Sequence, residues 1–246
     1  MKWAYGVTTC SERIDDLLPR TLESLARAGF DSPRLFADGV SPDVALALSR
    51  RWELPVTNHF PKVRAVLNWT LALWELYGRD PDADQYAIFQ DDLICVRGLR
   101  DYLDANLARM RSAHPDFRTY LNLYTSQGNQ TKAPRDGSKG WYKSNQMGRG
   151  ALALVFDRRV VQDLLSSRSL VEKPADSVKG YKSLDGAVIT ALSRLGYTEM
   201  VHTPSLIQHT GDESVIGNRK TQEGGYLLSR SPSFPGEDFD ATSLIR

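Results

Sequence analysis

Cysteine is nearly absent. Cys10 and Cys95 are too few for a disulfide framework, and a 246-residue chain buries enough surface to fold without one. Neither sign of charge dominates, with 31 lysines and arginines against 30 aspartates and glutamates. A net charge of +1 excludes a protein that coats duplex nucleic acid through a whole-surface positive field and leaves room only for a local patch. Long apolar runs are missing as well. None approaches the roughly 20 residues that span a bilayer. The apolar opening stops at Val7, short of the roughly 7–15 residues of a signal h-region. The expectation is a chain that starts its fold near Lys2, has no membrane span and works in a reducing cytoplasm. Asn68-Trp69-Thr70 and Asn129-Gln130-Thr131 spell glycosylation acceptors, which carry no meaning in that compartment. Also absent are G-x-G-x-x-G, G-x-x-x-x-G-K and G-x-S-x-G, which argues against a Rossmann dinucleotide enzyme, a P-loop NTPase and a nucleophile elbow.

What is present is globular in composition, 41% hydrophobic and 25% charged, which rules out disordered and collagen-like chains. Strands and helices alternate. W-A-Y-G-V-T-T (3–9) has the aromatic and β-branched content of a strand. Leu18, Leu22, Leu25 and Ala26 then recur at helical spacing, with Gly29 suited to the helix end. R-L-F-A (34–37) is a strand leading into Asp38-Gly39, 42–51 a helix, and P-V-T-N-H-F a short extended piece. Residues 63–77 form a strongly apolar helix closed by Gly78, and Q-Y-A-I-F (85–89) a buried strand running into Gln90-Asp91-Asp92. A helix over 98–112 and a strand T-Y-L-N-L-Y follow. This alternation implies right-handed βαβ units and a parallel sheet whose ligands bind beyond the carboxyl ends of the strands. Three polar clusters fall there: Thr8-Thr9 with Arg13, Asp38-Gly39, and Asp91-Asp92. The segment 126–150, with five basic residues against one acid, reads as a long mobile loop. After it come a strand A-L-A-L-V-F, a short helix, a helix over 184–195 with Ser183 as its N-cap, and P-S-L-I-Q-H-T-G leading into a polar tail. No repeat or linker divides the chain, so one domain is expected.

Four features carry chemistry. Two adjacent carboxylates at the end of a buried strand repel each other, and a hard divalent cation resolves the repulsion. The plain alternative is a strand-ending turn. His209 could complete a metal shell, although a lone histidine more often serves as a hydrogen-bonded structural residue. Asp185 in a helix's first turn is held ionised by the free N–H groups, as a simple cap or as a general base. The segment T-T-C-S-E-R offers amides, hydroxyls and Arg13 to a nucleotide, though Arg13 could equally pair with Glu12 or Asp15.

In their order and spacing these segments resemble a GT-A glycosyltransferase. The opening V-T-T-C-S-E-R-x-x-x-L-L-P-R-T-L-E-S-L looks like the first strand and helix of that superfamily, and Gln90-Asp91-Asp92 matches the DXD position with Gln replacing the first Asp. The run Q-D-D followed by P-S-L-I-Q-H also looks like the Golgi transferases that branch N-glycans. The resemblance implies a single α/β, Rossmann-related domain over 1–246 with a mostly parallel central sheet flanked by helices. Residues 1–125 would form the nucleotide-sugar half, 126–150 a mobile loop, and 151–246 the half that completes the metal and acceptor sides. It assigns Thr8, Thr9, Arg13, Asp38, Gly39, Arg64, Asn68, Gln90, Asp91, Lys143 and Arg149 to the nucleotide sugar. Asp92, with Asp91 and His209, would hold Mn²⁺ or Mg²⁺, and Asp185 would be the base of an inverting transfer. The implied activity moves a hexose or N-acetylhexosamine from a nucleotide-diphosphate sugar, UDP favoured, to a hydroxyl of a glycan, lipid, small molecule or modified nucleic acid. The rivals are a glycosyltransferase of modified nucleic-acid bases, a nucleotidyltransferase acting on sugar phosphates, and a non-catalytic sugar-binding module.

Overall fold

The computed structural model describes residues 1–113, 118–148, 150–171, 184–210 and 230–245. Its first half runs β1 (Trp3–Cys10), α1 (Leu17–Arg27), β2 (Arg34–Asp38), α2 (Pro42–Trp52), β3 (Val56–His59), α3 (Ala65–Arg79) and β4 (Gln85–Gln90). Then come β5 (Leu93–Cys95), α4 (Leu99–Ala113), β6 (Thr119–Asn122), the one-turn α5 (Gln127–Gln130), β7 (Gly140–Lys143) and β8 (Ala153–Asp157). The last elements are α6 (Arg158–Leu165), α7 (Arg168–Val171), α8 (Leu184–Arg194), β9 (Thr198–Thr203), β10 (Ile207–His209) and a 3₁₀ turn, Ala241–Leu244.

Local chemistry explains several boundaries. The Ser41 hydroxyl accepts the Val44 N–H at 3.3 Å and Pro42 opens α2, the pairing of cap and first residue that a helix N-terminus favours. Asp157 caps α6 in the same way through the Val160 N–H at 2.9 Å. In β4, Ala87, Ile88 and Phe89 are all fully buried, as expected of a strand covered on both faces.

The eight-stranded sheet has the order β3-β2-β1-β4-β8-β6-β9-β7. Strands β3, β2, β1 and β4 pair in parallel, as do β6 and β9, while β8 and β7 run antiparallel to their neighbours. A separate ribbon pairs β5 with β10. One core lies under α1 and α4, where Phe30 packs edge-on against Trp3 at 5.4 Å and meets Phe89 at 5.1 Å. The other lies on the opposite face around Trp69, Leu73, Phe156 and Val188. Among the described residues, no helix is long and apolar enough to cross a membrane.

Three expectations are corrected. Helix α3 continues to Arg79 with Gly78 inside it, because Gly78 keeps a helical φ and does not take the left-handed turn that ends a helix. The 126–150 segment is not a bare loop, since it holds α5 and an edge strand. Strand β7 zips onto β9 from Gly140↔Thr203 to Lys143↔Met200, and the Tyr142 hydroxyl donates to the Asn129 carbonyl at 3.1 Å. Strand β9, T-E-M-V-H-T, is not among the strands expected from the sequence, because two ionisable residues dilute its apolar signal. Ser183, read as the α8 cap, lies outside the described residues. Both glycosylation triplets place their asparagine in the interior, Asn68 and Asn129, where each is hydrogen-bonded to its neighbours.

One buried ionisable group ties β9 to α4. His202 is fully buried between Trp141 and Tyr102. Its Nδ1 donates to the Pro204 carbonyl at 2.7 Å, so Nε2 is the acceptor for the Tyr102 hydroxyl at 2.6 Å. Burial pushes its titration down to about 4 from an ordinary 6.5. Between those values the unfolded chain binds a proton that the folded chain refuses, so stability falls as pH drops through 6.5 towards 4. Relative to pH 7, the wild-type protein should lose about 2 kcal/mol at pH 5 from this residue. Urea unfolding at both pH values would show that loss in the wild type and its disappearance in His202→Phe; equal pH dependence in the two proteins would refute it.

Candidate active site

The carboxyl end of β4 delivers two acids to one place. Asp91 turns inward: one oxygen accepts the Thr9 hydroxyl at 2.6 Å and the other an Arg13 N–H at 2.8 Å. Asp92 shares that guanidinium, Nη1 to Oδ2 at 2.7 Å, and the same Oδ2 lies 3.0 Å from His209 Nε2. Both carboxylates are 2% exposed. Burial drives the Asp91 carboxyl upward, only partly opposed by Arg13. Burial acts on Asp92 too, but the His209 contact and Arg13 outweigh it and hold that carboxyl below its ordinary value. The pair is thus split, with Asp92 the firmer anion.

The scaffold for this cluster comes from α1 and the C-terminal strand. Among the described residues, strand β5 pairs on one side only, with β10, and α1 serves its other side. Thr21 Oγ1 lies 2.8 Å from the Asp91 carbonyl and accepts the Leu93 N–H at 3.2 Å, while Ser24 accepts the Cys95 N–H at 2.8 Å. These two hydroxyls, three residues apart on the otherwise apolar face of α1, are the mark in the sequence of a helix that serves a strand. The β5–β10 register puts His209 opposite Leu93, and the Thr210 N–H donates to the Asp92 carbonyl at 2.8 Å. A histidine 117 residues away is thereby locked beside Asp92.

Four buried polar atoms here have no partner among the described residues: Arg13 Nε, Asp92 Oδ1, His209 Nδ1 and Thr210 Oγ1. All four residues are linked through Asp92. Such a concentration is what a site prepared for a polar or ionic ligand shows. Asp92 and His209 fit a divalent cation, an orphaned carboxylate oxygen beside an imidazole. Asp91 fits poorly, since both its oxygens are engaged by Thr9 and Arg13. Among the described residues, no group of three or more metal-binding side chains converges.

Other expected site residues divide. Thr8 lies at the same strand end, its hydroxyl 3.4 Å from the Phe89 carbonyl, and Gln90 donates to the Ala151 carbonyl at 2.8 Å. Asp38 is buried, and its two oxygens accept the Val63 and Arg64 N–H groups at 2.6 and 2.8 Å. That grip holds Arg64 at φ 73 as the N-cap of α3, with its side chain exposed at the rim. Gly39, at φ 74, packs its Cα side against Lys62, which pairs with Glu12 at 2.5 Å across the rim. Asn68 is interior, bonded to His59 Nδ1 at 2.6 Å and the Phe36 carbonyl at 3.1 Å, so it braces β2 and β3. Lys143 is not brought to the cluster. It sits on the edge strand β7, separated from β4 by three strands, about 19 Å at a spacing of ~4.8 Å. Arg149 lies outside the described residues. Arg13, finally, takes neither Glu12 nor Asp15; those acids pair with Lys62 and Arg51.

Asp185 stands in the first turn of α8 and grips the chain entering β8. Its Oδ2 accepts the Gly150 N–H at 2.7 Å and its Oδ1 the Ala151 N–H at 3.0 Å. The chain there passes through a slot that only glycine fits. A Cβ on Gly148 would fall 2.5 Å from the Asp185 carbonyl oxygen, and one on Gly150 would fall 2.2 Å from the Tyr124 ring. Both glycines are needed here for the close approach of the chain to α8 and to the Tyr124 ring.

No family model matches the chain, and no curated protein matches its sequence. Solved structures match its fold. GalNAc-T7, crystallised with UDP, GalNAc and Mn²⁺, superposes with a TM-score of 0.56 at 9% identity over 82% of this chain, which spans 42% of that one. CMP:2-keto-3-deoxy-manno-octonic acid synthetase complexed with CTP gives 0.46 at 14% identity, covering 83% of this chain and 92% of the other. A cytidylyltransferase from Leptospira borgpetersenii serovar Hardjo-bovis gives 0.40 at 12%, covering 67% and 63%. The chain therefore has the GT-A type of Rossmann-related α/β fold, and it spans less than half the length of the glycosyltransferase it matches.

The Gly150 slot yields a stability prediction. Gly150 has φ 79, so Gly150→Ala meets both a left-handed backbone and the Tyr124 ring. Gly137 has φ 74 with open space around it. Gly137→Ala should cost about 1 kcal/mol from backbone strain alone, and Gly150→Ala about 2–4 kcal/mol. Equal denaturation midpoints for the two variants would show that the slot is not tight.

Proposed function

We propose that the chain is a metal-dependent glycosyltransferase that moves a sugar from a nucleoside-diphosphate sugar, UDP favoured, to an acceptor hydroxyl with inversion. The carrying observation is the convergence of unpartnered buried polar atoms on Asp92, His209, Arg13 and Thr210 at the carboxyl end of the parallel strands, the place where ligands of such sheets bind. The UDP and Mn²⁺ present in the structure of the fold neighbour GalNAc-T7 support this reading.

Asp92 and His209 would hold a divalent cation, which supplies Lewis acidity to the leaving diphosphate. The remaining work falls to the chain itself. Arg13 offers its unpaired Nε–H to a diphosphate oxygen. Asp38 keeps the 60–64 turn closed, and the nucleoside lies along that turn beside Thr8, Gly39 and Arg64. Gln90 and Asp185, both bonded to 150–151, fix the strand entry that floors the sugar. Asp185 takes the proton of the acceptor hydroxyl. Its carboxylate is held against rotation by the main-chain amides of Gly150 and Ala151. The part of 126–150 outside α5 and β7 closes over the donor once it is bound.

Two experiments test this. Turnover of UDP-, GDP- and CMP-sugars, with and without Mn²⁺, should show a UDP-sugar dependence that EDTA abolishes. Asp92→Ala should be inactive though folded, and His209→Ala should lose about 10–100-fold. Full activity in EDTA would overturn the cation, and turnover of CTP with a sugar phosphate would point to nucleotidyl transfer instead. In the second, Asp185→Asn should lower transfer by around 10²–10⁴-fold while leaving donor affinity nearly constant. A product that retains the donor's anomeric configuration, or a normal rate, would make Asp185 a structural clamp only.

A further inference from the structure

The cation site has an occupant drawn from the chain itself. Arg13 Nη1 touches both acids, Asp91 Oδ1 at 2.8 Å and Asp92 Oδ2 at 2.7 Å. Its backbone is pinned on both sides, the N–H to the Cys10 carbonyl and the carbonyl to the Leu18 N–H, each at 3.0 Å. Only side-chain torsions are left to move the guanidinium. The fit satisfies the acids better than the arginine, because Arg13 Nε is buried with no partner. Asp92 is lopsided in the same sense. Its Oδ2 serves both Arg13 and His209, whereas Oδ1 is buried and serves neither.

Charge makes the consequence directional. Asp91, Asp92 and Arg13 sum to one negative charge. A divalent cation on Asp92 and His209 turns that sum positive beside a guanidinium, and draws on the same Asp92 carboxylate that Arg13 holds. A diphosphate relieves both problems, since it brings negative charge and gives the guanidinium a bidentate partner. We infer that Arg13 is a resident competitor for the divalent cation, so that metal and nucleoside diphosphate bind each other's complex more tightly than the free protein. The inference rests on the cation reading of Asp92 and His209 given above. By linkage the enhancement is the same in either order of binding, and couplings of this kind run roughly 5–150-fold.

The test reads metal binding, not turnover. Mn²⁺ affinity is measured by electron paramagnetic resonance on the whole protein, alone and with UDP, with a correction for Mn²⁺–UDP in solution. Wild-type protein should bind Mn²⁺ weakly alone and about tenfold or more tighter with UDP. Arg13→Gln should bind Mn²⁺ alone about tenfold tighter than wild type and show a smaller UDP enhancement. A merely structural arginine would give the opposite, a looser site on removal. Because Arg13→Gln strands the buried Asp91, the double variant Arg13→Gln/Asp91→Asn is measured beside it. It removes one charge of each sign, leaves the site's net charge unchanged, and should still bind Mn²⁺ tighter than wild type. Wild-type-like or weaker Mn²⁺ binding by the double variant, with circular dichroism matching wild type, overturns the inference while leaving the cation site standing. Absence of Mn²⁺ binding in every protein, with or without UDP, overturns both.

Discussion

Two adjacent carboxylates buried at the end of a central strand set the terms for everything near them. Asp91 and Asp92 cannot lie 2% exposed and unpaired, because an uncompensated buried charge is strongly destabilising. Their partners come from four separate segments: Thr9 from β1, Arg13 from the turn after it, Thr21 from α1 on the backbone side, and His209 from β10. The arrangement keeps one acid interior and one ready. Asp91 is fully engaged, while Asp92 keeps Oδ1 without a partner among the described residues beside the Oδ2 that meets Arg13 and His209.

The rest of the rim is built by polar side chains gripping the backbone. Asp38 holds the amides of 63 and 64, and Asp185 those of 150 and 151. In each case a carboxylate at an element terminus fixes the course of a loop that borders the cleft. Positive φ at Arg64 is the strain that the Asp38 grip sustains, and at Gly150 glycine takes the same region without penalty.

The candidate residues were legible in the sequence by type and by strand end, but their orientation was not. Asp91-Asp92, Arg13 and His209 do come together. Asp38 and Asn68 sit at the expected positions, yet both are turned to the scaffold. A carboxylate aimed at a ligand and one that caps a loop have the same sequence signature, because the choice depends on which amide lies within 3 Å. Lys143 failed for a different reason. Its charge belongs to the basic run that reads as a mobile loop, whereas the backbone there pairs with β9 from Gly140 to Lys143 and Trp141 packs edge-on against His202 of that strand.

Local periodicity by itself determined the alternation of strands and helices through β4, the mixed α/β class, and the delivery of a carboxylate pair to a strand end. These depend on residues within a turn or two of one another, where side-chain spacing and backbone preference act without reference to the remaining chain. Only the tertiary structure decided that β9 enters between β6 and β7, that Arg13 leaves Glu12 and Asp15 for Asp91 and Asp92, and that His209 meets Asp92 across 117 residues. Such pairings are chosen by burial: an ion pair gains little on the surface and much more where water is excluded, and which groups lose their water is settled only when the sheet and its helices have closed.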